Sequence, residues 1–275
     1  MYKRILIALD LEGVNLVAGK PYEALDKGCE EWEKARHQAA LEVNAAADAL
    51  FAAGVEKVAL WDNHGGGGNI VAEEIDPRVE IINRIPGLPR MYFAPDFDAV
   101  CYFGYHAMEG TLGGVLAHTM SSKAVQYYKL NGRHIGEIDM DAYIAASHGL
   151  PSIFFAGGDI ACLQARRAVP SIVTLETKKE ISRNEAIFRE NGELFSEIRE
   201  KITYAVSIEH PFRTLDFPAT VEKSFKRMED AAAHITRLQG FGIKGEYLQD
   251  DILGYDAHTV VATVDNITDF IWCCI

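Results

Sequence analysis

Positive charge is what this 275-residue chain has too little of: 27 Lys and Arg stand against 40 Asp and Glu, a formal net charge of -13. That deficit argues against a nucleic-acid partner and against an anionic membrane surface, both of which reward clustered Lys and Arg. Metal cations and small ligands are compatible with it. No apolar run reaches the length of a membrane span. The run behind Lys3 and Arg4 is too short for a signal peptide and ends in a charge. Cysteine is sparse: Cys29, Cys101, Cys162, Cys273 and Cys274 are odd in number and lack paired zinc-finger spacing, so reduced thiols in a cytoplasm are the simplest account. There is no Gly-x-Ser-x-Gly elbow of a serine hydrolase, and no Gly-Lys-Ser/Thr to complete a phosphate-cradling loop. Internal repeats and low-complexity linkers are absent as well. What remains, 48% hydrophobic and 24% charged, is an ordinary soluble composition, in a chain long enough for one large domain or a large one with a smaller partner.

The chain is organised around its first apolar run, Ile5-Leu6-Ile7-Ala8-Leu9, which stops on Asp10-Leu11-Glu12-Gly13. Five apolar residues fit a strand buried on both faces, as in a parallel sheet covered by helices, and ligands gather at the carboxyl ends of such strands. Two readings stay open here: a metal anchor, or a turn opened by Asp10 with Gly13 at positive φ. After a loop with Gly19 and Pro21, residues 24–53 show helical spacing with Gly54 as the stop, and 55–61 read as a second strand. Strand, helix, strand implies a right-handed parallel crossover, so both strands end at one sheet edge. The second ends in Asp62-Asn63-His64, followed by four glycines, 65–68. Residues 79–83 read as a strand and 86–95 as a connection. The β-prone run 99–105 ends on His106, and His118 follows a short loop later.

Asn131-Gly132 marks a hairpin between residues 124–130 and 133–135. A helix over 137–148 opens on Glu137, a position that the macrodipole alone also favours for an acid. Residues 151–156 and 172–175 read as strands, 162–168 as a helix, and 184–205 as a mostly polar helix interrupted at Asn191-Gly192. From about residue 210 the alternation loosens into a segment 220–225, a helix 228–238, a strand 244–248 and a terminal helix 257–271. The expected fold is α/β: a mostly parallel sheet flanked by helices over residues 1–210, with a smaller C-terminal α+β unit over 211–275.

Asp10, Glu12, His64, His106 and Glu137 are thus delivered to one region, with His118 nearby. Three carboxylates and two imidazoles suit zinc, or manganese or cobalt, and suit calcium poorly. Bridging carboxylates let five side chains hold two ions, typically roughly 3.5–4 Å apart, an arrangement that lowers the pKa of bound water to about 7. The reaction class is metal-assisted hydrolysis, of an amide or a phosphate ester. His118 is either a proton shuttle or oxyanion stabiliser, or a buried structural histidine. Asp62 is a candidate to orient His64 or a neighbouring ligand. Arg183 is either a substrate-carboxylate contact or solvated. His37, His134, His148, His210, His234 and His258 read as surface or packing residues.

Asp10-Leu11-Glu12-Gly13, Asp62-Asn63-His64-Gly65, Gly104-Tyr105-His106-Ala107, His118-Thr119-Met120, Gly136-Glu137, Ala156-Gly157-Gly158-Asp159 and Ile181-Ser182-Arg183 occur in the order and approximate spacing of one family. Over essentially its whole length the chain resembles the zinc D-aminopeptidases (DppA type). The resemblance implies a dinuclear zinc peptidase acting on short D-amino-acid peptides, with D-Ala-D-Ala typical. It implies Asp10, Glu12, His64, His106 and Glu137 as ligands, Asp10 as the bridge, and His118 as the catalytic histidine. It also implies a homo-oligomer, a decamer of two pentameric rings. The long glycine run and Ile160, where a second aspartate often follows Asp159, depart from the pattern. An L-aminopeptidase or a small-molecule amidase would keep the same ligands. A magnesium phosphohydrolase would want oxygen ligands only, and a non-catalytic metal-binding protein would leave His118 without a task.

Overall fold

The first apolar run becomes a strand, β1 (Arg4–Leu9), buried at every position after Arg4. In the computed structural model, which describes residues 2–20, 23–83, 85 and 87–275, it is followed by α1 (Glu30–Ala52), β2 (Lys57–Asp62), β3 (Glu80–Ile82) and β4 (Ala99–Tyr105). A hairpin of β5 (Val125–Leu130) and β6 (Arg133–His134) comes next, then α2 (Glu137–Ser147), β7 (Ser152–Gly158) and α3 (Asp159–Ala168). The remainder is β8 (Val173–Ser182), β9 (Glu185–Phe188), α4 (Asn191–Ser207), β10 (Ala219–Phe225), α5 (Met228–Gly240), β11 (Gly245–Asp250), β12 (Gly254–Val264) and α6 (Ile267–Cys274). Pro21 and Pro86, each placed by sequence in a loop or connection, lie outside the described residues.

The larger sheet runs β3-β2-β1-β4-β7-β8-β9, parallel except for the edge pair of β8 and β9. Because the chain leaves β1 for β2 on one side and later returns to β4 on the other, the β1–β4 boundary is the topological switch point, where a crevice opens beyond the strand ends. Strand alternation divides the core. Ile5, Ile7 and Leu9 face a cluster with Val43, Leu50, Leu194 and Ile198 from α1 and α4. Leu6 and Ala8 face Ile138, Ile144 and Cys162 from α2 and α3. The second sheet, β11-β12-β10-β5-β6, is antiparallel. The unit expected over 211–275 is therefore completed by a hairpin from earlier in the chain, and one apolar cluster containing Tyr102, Tyr128, Val221 and Val260 runs through both sheets. No described helix is long and apolar enough to cross a membrane.

Local chemistry moves several boundaries. The first helix starts at Glu30 rather than near residue 24, because Gly28 takes φ +88° and Cys29 caps the helix, its sulfur accepting from Trp32 N. It ends as the sequence indicates: Gly54 and Val55 N–H donate to the Phe51 and Leu50 carbonyls, the paired closure that a left-handed glycine permits. Asn191-Gly192 does not interrupt a helix. It opens α4, capped by the Glu190 side chain accepting from Glu193 N, while residues 185–188 pair with β8. The expected terminal helix 257–271 is overturned for its first half, since 257–264 lie in β12. There Val260, Ala262 and Val264 are buried, and the Val and Thr residues between them favour the pleated chain. Only α6 is helical, capped by Asn266 accepting from Asp269 N.

A buried polar patch pins the loop after β1 to α1 and α4. Glu42 accepts from Asn15 N at 2.9 Å and from Gln38 Nε2 at 3.2 Å, while its other oxygen has no partner. Burial pushes its carboxyl up to about 7. The folded protein therefore holds a proton that the unfolded chain has already released, and stability falls as pH rises from the ordinary glutamate range to neutrality. The fall is about 3 kcal/mol at most. Glu42→Gln is expected to flatten that slope, read as a smaller drop in melting temperature between about pH 5 and pH 8. An unchanged slope would assign the pH dependence elsewhere.

Candidate metal centre

Two glycines let the ends of β1 and β4 meet. Asp10 N donates to Phe103 O at 2.8 Å and Gly13 N to Gly104 O at 2.7 Å, extending the ladder beyond both strands. Gly104 takes φ +71°, and a Cβ on it would overlap the Asp10 carbonyl; a Cβ on Gly13 would overlap the Tyr105 carbonyl. Gly13 is thus required for close backbone approach and not for the positive φ that the turn reading of Asp10 gave it. This approach sets Asp10 and Glu12 beside His106. Asn63 N donates to Leu9 O at 2.8 Å, which brings the end of β2, with His64, to the same edge.

The six side chains singled out from sequence converge. His64 Nδ1 lies 2.9 Å from Asp10 Oδ1 and 3.1 Å from Glu12 Oε2. His106 Nε2 lies 3.4 Å from both Asp10 Oδ2 and Glu137 Oε1. Asp10 therefore turns one oxygen to each imidazole. His118 stacks on His106 with ring centroids 4.0 Å apart, its Nε2 3.9 Å from Glu12 Oε1 and from Glu137 Oε1. Donor atoms of Asp10, Glu12 and His64 lie within 4.8 Å of one another, as do those of Asp10, His106 and Glu137, and those of Glu12, His106 and His118.

The ring orientations are fixed from behind. His106 Nδ1 donates to Ala107 O and His118 Nδ1 to Leu116 O, both at 2.9 Å, which points each Nε2 at the carboxylates, a lone pair there whenever the ring is neutral. His106 Nε2 is buried without a hydrogen-bond partner. An orphaned imidazole nitrogen between carboxylate oxygens is a donor set that fits a divalent ion of zinc type. Without an ion, protons balance the charge. Burial opposes ionisation of Asp10, but His106 and His64 hold its carboxyl well below the usual range. Burial likewise opposes ionisation of Glu137, which His106 brings down to about 2. Burial disfavours the charged imidazoles, yet the carboxylates, Glu12 foremost at His64 and Asp10 at His106, raise both well above the ordinary value. A metal ion entering here must displace those protons.

Glu137 opens α2, and its Oε1 also accepts from Met120 N at 2.7 Å, tying the loop that carries His118 to the carboxylate. Asp62 does not touch the His64 ring. It accepts from Asn69 N and Nδ2, and Asn69 in turn donates to the His64 carbonyl, so Asp62 closes the glycine loop instead. Arg183 lines a small cavity with Glu12, His64 and His118, donates to Ala117 O and sits 3.5 Å from Glu109 Oε2. None of the six remaining histidines belongs to these donor groups; His210, for example, is buried between the Ser171 and Ala205 carbonyls.

Sequence reasoning missed Lys178. Fully buried in β8, its Nζ donates to the carbonyls of Glu12, Val14 and Val17, clamping the loop that carries Glu12. Burial lowers its pKa to about 8. Also missed was the chain Asn63–Tyr105–Asp141–Arg90, in which Asn63 Nδ2 donates to the Tyr105 hydroxyl, and that hydroxyl donates to Asp141, each at 2.7 Å. Arg90 completes it with a bidentate contact to Asp141 at 2.5 and 2.8 Å.

A larger cavity of about 310 Å³ reaches the cluster, lined by Asp10, His64, His118 and Glu137 on one side and by Tyr128, Lys223 and Phe225 of the second sheet on the other.

A family model described as D-aminopeptidase matches residues 3–249. A D-aminopeptidase of Bacillus subtilis (strain 168) is 28% identical over 184 residues, covering 66% of this chain and 65% of its own length, less than two thirds. Among solved structures, "Zn-dependent D-aminopeptidase DppA from Bacillus subtilis, a self-compartmentalizing protease" superimposes with a TM-score of 0.83 at 21% identity, over 98% of this chain and 94% of the other. At that identity the likeness shows the fold, including the antiparallel second sheet.

Proposed function

Since the chain belongs to the D-aminopeptidase family, whose model spans residues 3–249, we propose that it hydrolyses short peptides from the amino terminus, D-amino-acid dipeptides of the D-Ala-D-Ala kind in particular. The observation that carries this reading is the position of Asp10, with one carboxylate oxygen towards His64 and the other towards His106. Asp10, Glu12 and His64 would hold one divalent ion, and Asp10, His106 and Glu137 a second, Asp10 bridging them. Zinc fits this mixed oxygen and nitrogen set, with manganese or cobalt as substitutes. Ions held there would supply an activated water, its pKa lowered to about 7, and a Lewis acid for the scissile carbonyl.

The protein's own part in the reaction is positioning and proton transfer. His118 Nδ1 is committed to Leu116 O, so Nε2, on the cavity wall, takes up and returns the proton that the leaving amine needs. Lys178 and the Glu137–Met120 contact keep the Glu12 and His118 loops in register. The solved relative is named a self-compartmentalizing protease; we carry that to this chain as a homo-oligomer, a decamer of two pentameric rings, in the cytoplasm.

A panel of D-, L- and mixed dipeptides with a phosphate-ester control, assayed with added zinc, manganese or cobalt, tests the reading. Release of the N-terminal residue from D-Ala-D-Ala is the expected result. Turnover of L-peptides alone would give the centre to an L-aminopeptidase or amidase, and turnover of the phosphate ester alone would remove it from the peptidases.

A further inference from the structure

The two walls of the 310 Å³ cavity differ in chemistry. One is the ligand cluster. The other comes from β5 and β10 and is apolar, except for Lys223. This lysine stands opposite Tyr128 in the strand ladder, and its ammonium lies 5.1 Å from the Tyr128 ring centroid and 5.2 Å from that of Phe225. It is only 6% exposed, yet no hydrogen bond or ion pair links it to any described residue. Lys178 provides the contrast, at 1% exposure still more buried but satisfied by three carbonyls. An ammonium that opens on a cavity and has no protein acceptor keeps only part of its solvation, and two aromatic faces offset that loss only in part. Such a group is a candidate to receive an anion from outside the fold. The other cation on this cavity, Arg90, already spends its charge on Asp141, and Arg183, on the smaller cavity, faces Glu109.

We infer that Lys223 receives the free α-carboxylate of a short peptide whose amino end lies at the metal-ligating cluster. The inference rests on the peptidase reading and adds a subsite to it. Burial lowers the Lys223 pKa to about 8, so the group still carries its charge at neutral pH. The cavity volume is at the small end of the roughly 300–1,000 Å³ typical of ligand pockets, which suits a dipeptide better than a longer chain. Lys223 then acts as a length gauge: a third residue would carry the carboxylate past it, and an amide or ester in its place would leave the ammonium unpaired.

The test compares D-Ala-D-Ala with its C-terminal amide. The metal-loaded wild type is expected to favour the acid in kcat/KM by on the order of tenfold or more, chiefly through KM. Lys223→Met should bring that ratio close to one while melting no lower than wild type, because it removes an unpaired buried charge. Lys223→Arg should restore much of the preference. Calorimetric titration of metal-loaded His118→Ala, with and without Lys223→Met, gives the same acid-to-amide comparison as binding, without turnover. If peptides are hydrolysed but Lys223→Met keeps the wild-type ratio, the lysine subsite is overturned and the peptidase reading stands. If nothing is hydrolysed but the acid binds more tightly through Lys223, the subsite stands and the peptidase reading falls. Absence of both overturns both.

Discussion

Asp10→Ala is expected to yield folded protein that has lost most of its metal and all measurable peptide hydrolysis. Asp10 belongs to two of the three donor groups, so its removal takes an oxygen from both proposed ion sites at once. Loss of an outer partner alone typically weakens metal binding roughly 10–100-fold, and loss of a shared inner ligand exceeds that. The main-chain bond from Asp10 N to Phe103 O and the close approach of Gly104 survive the substitution, and the one backbone partner lost is Leu11 N, which donates to Asp10 Oδ1. Elemental analysis of purified protein, alongside a melting curve to show that the fold is intact, decides the matter. Close to two transition-metal ions per chain is expected for wild type. Full occupancy in Asp10→Ala, or magnesium alone in wild type, would sink the two-metal reading.

His118→Ala separates chemistry from binding. Its Nε2 sits 3.9 Å from the nearest carboxylate oxygens, further than any expected ligand contact, while its ring lies flat against His106. Metal content should therefore remain near wild type while kcat falls by about 10²–10⁴, the usual contribution of a placed acid or base. His118→Asn keeps a polar group in place without an imidazole's titration and should fall nearly as far. Dipeptide cleavage at the wild-type rate by either variant would return His118 to a packing role against His106.

The cluster was unusually legible because three strands end on its candidate ligands. Buried parallel strands read as plain apolar runs, and each run stops within two residues of Asp10, His64 or His106, so topology alone gathers them. Lys178 carried no such mark. Beside Lys179 it looks like half of a solvated pair, and its burial is decided by carbonyls 161 to 166 residues away in sequence. The β5–β6 hairpin was visible from Asn131-Gly132, but nothing local told that it would join β10, and the resulting cavity wall was invisible with it. In β12 the alternation of apolar and polar residues was present and was overruled by a helical reading of 257–271.

The interlock of Gly13 with Tyr105 and of Gly104 with Asp10 holds the cradle together by main-chain contacts alone. The proposed ligands span the chain from Asp10 to Glu137, and the first of them are set by main-chain pairing that needs no ion. If the cluster holds metal as proposed, its donor atoms come together only where β4 lies beside β1 and α2 is in place. On that proposal the cradle stands without its metal, and a chelator is expected to empty the protein without unfolding it, the reverse of small domains whose fold exists only with the ion in place.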